Sequence, residues 1–559
     1  MAVEREFSMR IILDGREGTF AENTKASQVV NQLWPERAEK ILALMWGGLV
    51  LELNQPLREG MSLTSVTFMH EEGRRIYERS LRFVFLLAAR RLFPGRQVRI
   101  NNSIGYGVFL KILGMTLTKT QVTRLENEMR QIVKSDLPFE KELWSRDQAV
   151  EYFQKEGQTD KVQLLSYRPN YDFPVYRCGG MWEYFYGAML PSTAWVPAFS
   201  LRVHAPGLVI QMPGPEDPQV PAKYVQRPKH LRIFAQSQRW CEILESTNIA
   251  DINGMITSGH FREFIRINEA LHDKSIAGIA DNIRSKKARL VLISGPSSSG
   301  KTTFANRLKI HLQVLGLKPV LLSLDDFYLN RVDIPQEPDG TVDLESIHTI
   351  DIPLFEQCLQ LLLSGQTAQM PHFNFKTGRR EETREPLCVA QDQPILVEGI
   401  HGLNPLLTGH LPKDMIFRIY VSALTCINLD HHNRIRTTDV RLLRRIVRDY
   451  QFRGTTPDAT LSMWESVRRG EDRWIFPYQE EADAMFNTAL HYELPVLKAL
   501  AYDLLRAIEP DNRNYLLSRR LLKTLHYLVP MPEDSMDEVP PLSILREFVG
   551  GCTFYVGHS

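Results

Sequence analysis

Apolar and polar positions alternate in two styles along the chain. Residues 8–20 (SMRIILDGREGTF) place two apolar runs around Asp14-Gly15. That pair tolerates the positive φ angles of a tight turn, so the stretch predicts a hairpin. A helical stretch from Lys25 to Leu33 follows. Short strands punctuated by glycine, asparagine and proline (ILALMWGGLVLELNQPLREGMSLTSVTF) then complete a small α+β module ending near Phe68. In the next block, SLRFVFLLAARRLFPG predicts a buried helix stopped by Pro94-Gly95. Residues 123–165 predict a charged amphipathic helix, a proline break and another helix. Residues 231–285 read as mostly helical, with a polar break at Asp251-Ile-Asn-Gly254. From about 288 the style changes. LVLIS, PVLLSL and PILVE are continuous apolar runs, the mark of strands covered on both faces. Residues 529–541 (VPMPEDSMDEVPP) read as a linker before a short C-terminal segment.

At 559 residues the chain exceeds one ordinary core, and units of ~150 residues imply several domains. Hydrophobic residues at 43% and charged residues at 24% are the composition of a globular protein. A net charge of +1 gives no whole-chain case for nucleic acid or anionic membrane. The six cysteines form no CxxC pair, which argues against a disulfide framework or zinc ribbon. MAVEREFSMRIILDG has no signal-peptide core, and no run approaches the ~18 apolar residues of a membrane helix. A cytoplasmic protein with no membrane segment is expected. The oligomeric state stays open, and a homo-oligomer is compatible with these features.

The chemistry concentrates behind residue 290. Gly295-Pro296-Ser297-Ser298-Ser299-Gly300-Lys301-Thr302 satisfies GxxxxGK[ST], between the strand LVLIS and a helix that opens with Thr302-Thr303 and stops at Gly316. The glycines let successive N–H groups curl inward, and the helix start adds positive potential. Lys301 suits β- and γ-phosphates, and the Thr302 hydroxyl suits Mg²⁺. ATP and Mg²⁺ are therefore the expected cofactors. Asp325-Asp326 end the next strand, where one carboxylate could take a proton from an acceptor hydroxyl. The other would cap or be solvated, and the residues alone do not choose. Glu398 tips the third strand, where a carboxylate can hold Mg²⁺. Arg441, Arg444, Arg445 and Arg448 follow i, i+3, i+4, i+7, with Arg453-Gly454 beyond. That spacing predicts one guanidinium face, either a lid over ATP or a basic face paired with Asp439 and Asp449. His431-His432 read as a polar loop rather than a metal site, since spacing supplies no third ligand. Cys178 reads as a partly buried thiol.

The first module resembles the TGS domain, through its DG hairpin, Val-Asn-Gln-Leu and terminal Leu-x-Glu-Gly. The second block resembles the editing region of threonyl-tRNA synthetases through ENEMRQIVKSDLPFE, SRDQAVEYF and LPST. The histidines and cysteine of that editing site fall on Arg79, Phe83, Phe185 and Met189, none of which can replace them. An editing-like scaffold without its chemistry is expected. SLDDFY, PHFNFKTGRREET, ILVEGIHGLN and RLLRRIVRDYQFRG resemble the uridine kinase and phosphoribulokinase family over about 288–500. The resemblance implies that Asp325 is the general base. It places Tyr328 and Phe373 near a nucleoside, and Asp343, Arg445, Arg448 and Arg453 at sugar or phosphate. Phe373 stands for a usual tyrosine, Gly378 for an occasional histidine and Thr455 for a further lid arginine, which puts uridine itself in doubt. WESVRRGEDRWIFPYQEEADAMFNTALHYELPVLK and SILREFVGG resemble bacterial fusion proteins that join all three parts.

The expected fold class is multidomain α/β. A TGS-like β-grasp module spans 1–70, an editing-like α+β domain 75–230 and a helical connector 231–287. A P-loop kinase domain with a parallel sheet between helices spans 288–500, and a helical extension 501–559. The expected activity is transfer of the γ-phosphoryl of ATP to a small-molecule hydroxyl, the 5′-hydroxyl of uridine or cytidine or that of another sugar or polyol. The rival expectation is a nucleotide-switched RNA-binding protein, with an RNA contact around AARRLFPGRQVR (88–99). There Leu92-Phe93 is better explained as a helix end packing into a core.

Overall fold

The computed structural model describes residues 8–168, 172–336, 342–374, 377–381 and 386–555. Of the PHFNFKTGRREET stretch, residues 375–376 and 382–383 lie outside the described residues. So do the extreme ends of the 1–70 and 501–559 units.

Strands Ser8–Leu13 and Arg16–Ala21 form the expected hairpin, with Asp14 at φ 47° and Gly15 at φ 81°. Burial alternates along the first strand, so Met9, Ile11 and Leu13 face the core. Ser8–Leu13 also pairs parallel to Ser62–Thr67, and Ile41–Trp46 and Leu49–Leu51 complete a five-stranded sheet. Helix Ala26–Leu33 packs on it, giving a β-grasp module.

The second block is organised around helix Glu71–Leu92, whose residues 76, 77, 81 and 83–89 are apolar and buried. A four-stranded sheet holds Ser200–His204, Gly207–Gln211, Gly107–Ile112 and Val98–Ile104. A three-stranded sheet holds Met181–Glu183, Phe173–Cys178 and Glu140–Trp144. The last of these strands lies between the helices Lys119–Lys134 and Arg146–Lys155, where only a proline break was expected.

Two further expectations need correction. The polar break at 251–254 does not exist. Helix Ile249–Thr257 runs through it, because Asn248 and Asp251 close a capping box at its start. The buried Asn253 side chain donates to the Tyr527 carbonyl at 2.7 Å. Nor is 529–541 a linker. It carries a 3-10 turn, Glu533–Glu538, with Ser535 and Val539 buried, and Arg266 on helix Phe261–Lys286 binds Glu538 at 2.6 Å.

The third region is a five-stranded parallel sheet in the order Val320–Ser323, Ile395–Glu398, Leu290–Ser294, Ile416–Ser422, Ala484–Asn487. The expected continuous apolar runs are the central strands, with helices covering both faces. The editing-like block is welded to it through charge. Lys161, 2% exposed at its side chain, reaches Glu183 at 2.8 Å and Asp430 at 3.0 Å. His432 Nδ1 lies 2.7 Å from Glu183, and Asp160 accepts the His431 N–H at 2.7 Å. The His-His pair thus belongs to an ionic interface. No cluster of three or more metal-type ligands occurs among the described residues. No helix among them is long and apolar enough to cross a membrane.

Candidate active site

The phosphate loop leaves the central strand at its carboxyl end, where open parallel sheets bind ligands. Gly295 presses on the next strand so closely that a β-carbon would sit 1.9 Å from the Val421 carbonyl oxygen. Ser298 at φ 58° and Gly300 at φ 81° supply the curl. Lys301 opens helix Lys301–Val314, with its Nζ 3.2 Å from the Pro296 carbonyl. The Thr302 hydroxyl donates to Glu398 Oε1 at 3.2 Å, and the Ser323 hydroxyl approaches the same oxygen at 3.5 Å.

Asp325 and Glu398 end adjacent strands and face Lys301. Burial lifts the Glu398 carboxyl to about 7; the neighbouring Asp325 adds to this and Lys301 opposes it. Burial also raises Asp325, against the pull of Lys301 and Arg453. It lowers Lys301, against the pull of Glu398 and Asp325. Three ionisable groups held together, Glu398 buried and Asp325 and Lys301 half-buried, are costly to desolvate. Asp326 takes the other course, accepting from His372 at 2.8 Å and from the Phe373 N–H at 3.4 Å. The structure therefore separates the pair that sequence alone left undecided.

The arginine helix Thr437–Phe452 does not present one guanidinium face. Arg441 and Arg444 are internal, 1% and 0% exposed at the side chain. Arg441 holds the Ser297 carbonyl at 2.8 Å and Glu471 at 3.0 Å. Arg444 holds Glu493 at 2.7 Å and the Thr488 carbonyl at 2.9 Å. Their carboxylate partners come from other helices, which local spacing cannot reveal. Arg445 donates to Ser297 Oγ at 2.8 Å, Arg448 binds Asp449 at 2.7 Å, and Arg453 lies 3.7 Å from Asp449 with 57% of its side chain exposed. These three sit at the loop or open toward it. Asp439 turns away, to Arg520 at 2.9 Å.

On the acceptor side Tyr328 meets Phe373 edge to face at 5.6 Å. Asp343 accepts the Trp474 indole N–H at 3.0 Å and caps the Glu345 N–H at 3.0 Å. Gly378, at φ 66°, lies against Arg331, so a side chain there would collide with Arg331 Cδ at 2.5 Å. His401 is 1% exposed, and burial holds its imidazole down to about 3, hence neutral. Two carboxylates at this site escaped the sequence reading. Glu471 accepts the Ser297 N–H at 3.1 Å, and Glu345 is pushed up to about 7 by burial and by Glu471. A cavity of about 730 Å³ lies elsewhere, beside the edge strand Ala484–Asn487.

The four editing-site positions converge on a packed interior instead. Phe83 lies 5.4 Å from Phe139 and 5.8 Å from Phe185, and Met189 is buried with them. Arg79 donates to the Ala188 carbonyl, and any side chain on Gly187 would strike its guanidinium. Cys178 is 1% exposed, and burial pushes its thiol up to about 12.

Residues 290–493 match the Phosphoribulokinase / Uridine kinase family. The N-terminal region matches threonine–tRNA ligases. The chain is 30% identical over 190 residues to the enzyme of Desulforamulus reducens, which covers 34% of this chain and 30% of that ligase's length. Among solved structures, one described as a Possible Uridine Kinase from Bacillus stearothermophilus is 18% identical, covers 38% of this chain and 97% of its own, and superposes with a TM-score of 0.27. The D-glycerate 3-kinase of Cryptococcus neoformans is 18% identical, covers 47% and 89%, and superposes at 0.20.

Proposed function

We propose that the chain is an ATP-dependent kinase acting on a hydroxyl acceptor, the 5′-hydroxyl of a pyrimidine nucleoside such as uridine or cytidine. The observation that carries this reading is the phosphate loop itself, curled at Ser298 and Gly300, with the Thr302 hydroxyl on Glu398 at 3.2 Å. The family match over 290–493 supports the reaction class. The nucleoside rests on the resemblance, which puts Tyr328, Phe373 and Asp343 near the acceptor.

The residues fit the cofactors. The Thr302 hydroxyl and Glu398 carboxylate, 3.2 Å apart, would hold Mg²⁺. Among the described residues the buried hydroxyls of Ser298 and Ser299 have no hydrogen-bond partner, as expected of a loop shaped for phosphate. Bound MgATP supplies the electrophilic phosphorus and a charge-neutralising cation. Asp325, made more basic by burial, takes the acceptor's proton and orients the oxygen. Lys301, Arg445, Arg448 and Arg453 stabilise negative charge on the transferring group.

The test is ADP release by purified protein across a panel of nucleosides and polyols, with Lys301→Ala and Asp325→Asn alongside. Turnover with uridine or cytidine that both variants lose supports the reading. Turnover with a sugar or polyol alone keeps the chemistry and moves the substrate. A second reading, RNA contact through the N-terminal region, draws on the ligase match. The 88–99 segment does not favour it. Arg90 and Arg91 pair with Glu156 and Glu128, and Leu92 and Phe93 pack on the core.

A further inference from the structure

The C-terminal segment crosses the phosphate loop. Ile544, Leu545 and Phe548 are fully buried, and the Arg444 guanidinium lies 5.0 Å over the Phe548 ring. Ser543 donates to Glu269 at 2.7 Å, and Arg546 donates to the Met536 and Val539 carbonyls at 2.7 Å each. These anchors fix the turn that follows. A β-carbon on Gly300 would meet Ile544 Cγ2 at 2.4 Å, so the tail touches the loop's last glycine. Glu547 Oε2 accepts the Thr303 N–H at 3.2 Å and the Thr303 hydroxyl at 2.8 Å. The Cys552 thiol also reaches the Thr303 side chain.

Thr303 lies in the first turn of the helix that the loop opens. There, unpaired N–H groups and the helix dipole attract anions, and phosphate loops receive nucleotide phosphates. A carboxylate oxygen offers the same anionic acceptor as a phosphate oxygen. Glu547 thus satisfies a donor that a nucleotide would use, and its charge opposes a triphosphate in the same cradle. The anchoring residues belong to the core, but Glu547 itself is half-buried. A swing of its side chain releases the Thr303 N–H without unfolding the segment.

We propose that Glu547 is an autoinhibitory carboxylate, seated on Thr303 in place of a phosphate and displaced when a nucleotide binds. This rests on the reading of the loop as the MgATP site. Binding at the loop and seating of the C-terminal segment then oppose one another reciprocally.

Equilibrium binding of MgATP to the full chain and to Glu547→Gln, Glu547→Ala and Lys301→Ala tests it, with amide exchange of residues 546–550 followed in parallel. Both Glu547 variants should bind MgATP about fivefold or more tightly than the parent, and MgATP should speed exchange of the tail in the parent. Equal affinity in parent and Glu547 variants, with unchanged tail exchange, overturns the proposal and leaves the nucleotide site standing. Weaker binding in both variants also overturns it, making Glu547 a nucleotide-site ligand. Binding undiminished by Lys301→Ala, or absent from every protein, removes the nucleotide site and the proposal together.

Discussion

Two regions of this molecule look like enzyme sites and have been resolved in opposite ways. In the editing-like block the positions where catalytic groups would converge hold Phe83, Phe185 and Met189, packed within one core, with Arg79 bonded to backbone. Around the phosphate loop Glu398 stays polar although buried, Lys301, Asp325 and Glu345 are half-buried, and the ionisation of all four is shifted first by loss of water and then by charged neighbours. A pocket that has lost its chemistry gains by filling with apolar side chains, whereas a charge cluster persists only where something needs it. The first region is apolar packing, and the second is the one that the proposed reaction uses.

The largest expected effect tests the second half of that contrast. Lys301→Ala and Asp325→Asn should each lower kcat by ~10³-fold or more, the scale of removing a preorganised charge or the proton acceptor. The thermal midpoint of Asp325→Asn should stay equal to or above the parent's, because it removes a carboxyl from beside Glu398. ADP release and melting on the same preparations check both. Retained turnover in Lys301→Ala would make the loop a structural relic like its neighbour.

The first half is tested by Phe83→Ala. Deleting a ring packed between Phe139 and Phe185 should cost ~3–5 kcal/mol of stability, read from the denaturant midpoint. ADP release assayed well below the transition should not change. Phe83→His should also destabilise and confer no hydrolysis of aminoacyl esters, since one imidazole restores neither the remaining groups nor the space.

The contrast was partly legible in the sequence because the features that carry it are local. The loop, the strands around it and the Asp14-Gly15 turn are each written within a dozen neighbouring residues. The arginine helix was not legible in the same way. Arg441 finds Glu471 at a separation of 30 residues and Arg444 finds Glu493 at 49, so pairing with the carboxylates nearby in sequence, Asp449 and Asp439, missed the partners that bury two of the four guanidiniums. Glu547 lies 244 residues from Thr303, and nothing near it suggests a phosphate seat. The break misplaced at 251–254 arose from taking Asp251 and Gly254 as breakers, when Asn248 makes Asp251 a capping residue.

Acidity separates the regions next. Glu398 is raised from 4.5 to about 7, so it is increasingly protonated as pH falls below 7, and burial shifts Asp325 in the same direction. If ionised carboxylates do the work, kcat/KM should climb about tenfold per unit up to pH ~7 and then level. Stability runs the other way. A carboxyl raised in the folded state binds a proton that the unfolded chain has lost, so nucleotide-free protein should lose stability as pH rises from 4.5 toward 7. Glu398→Gln should reduce that dependence, leaving the share of Asp325 and Glu345, which are raised as well. A flat rate profile with an unchanged stability profile would show that these carboxylates are as inert as the aromatic core.

The smallest expected effect divides the arginine helix along the same line. Arg453 is largely exposed and 3.7 Å from its carboxylate, so its ion pair contributes little to folding. Arg453→Ala should leave the denaturant midpoint within ~0.5 kcal/mol of the parent and raise KM for ATP about tenfold, the worth of one charge-assisted contact to phosphate. Arg441→Ala, which leaves the buried Glu471 with Arg468 as its remaining cation at 2.6 Å, should destabilise by ~3 kcal/mol. Steady-state kinetics and unfolding curves on the two variants decide whether the helix contains both a reactive and a structural arginine. If Arg453→Ala leaves KM untouched, the division between packing and chemistry runs between the loop and the helix rather than through the helix itself.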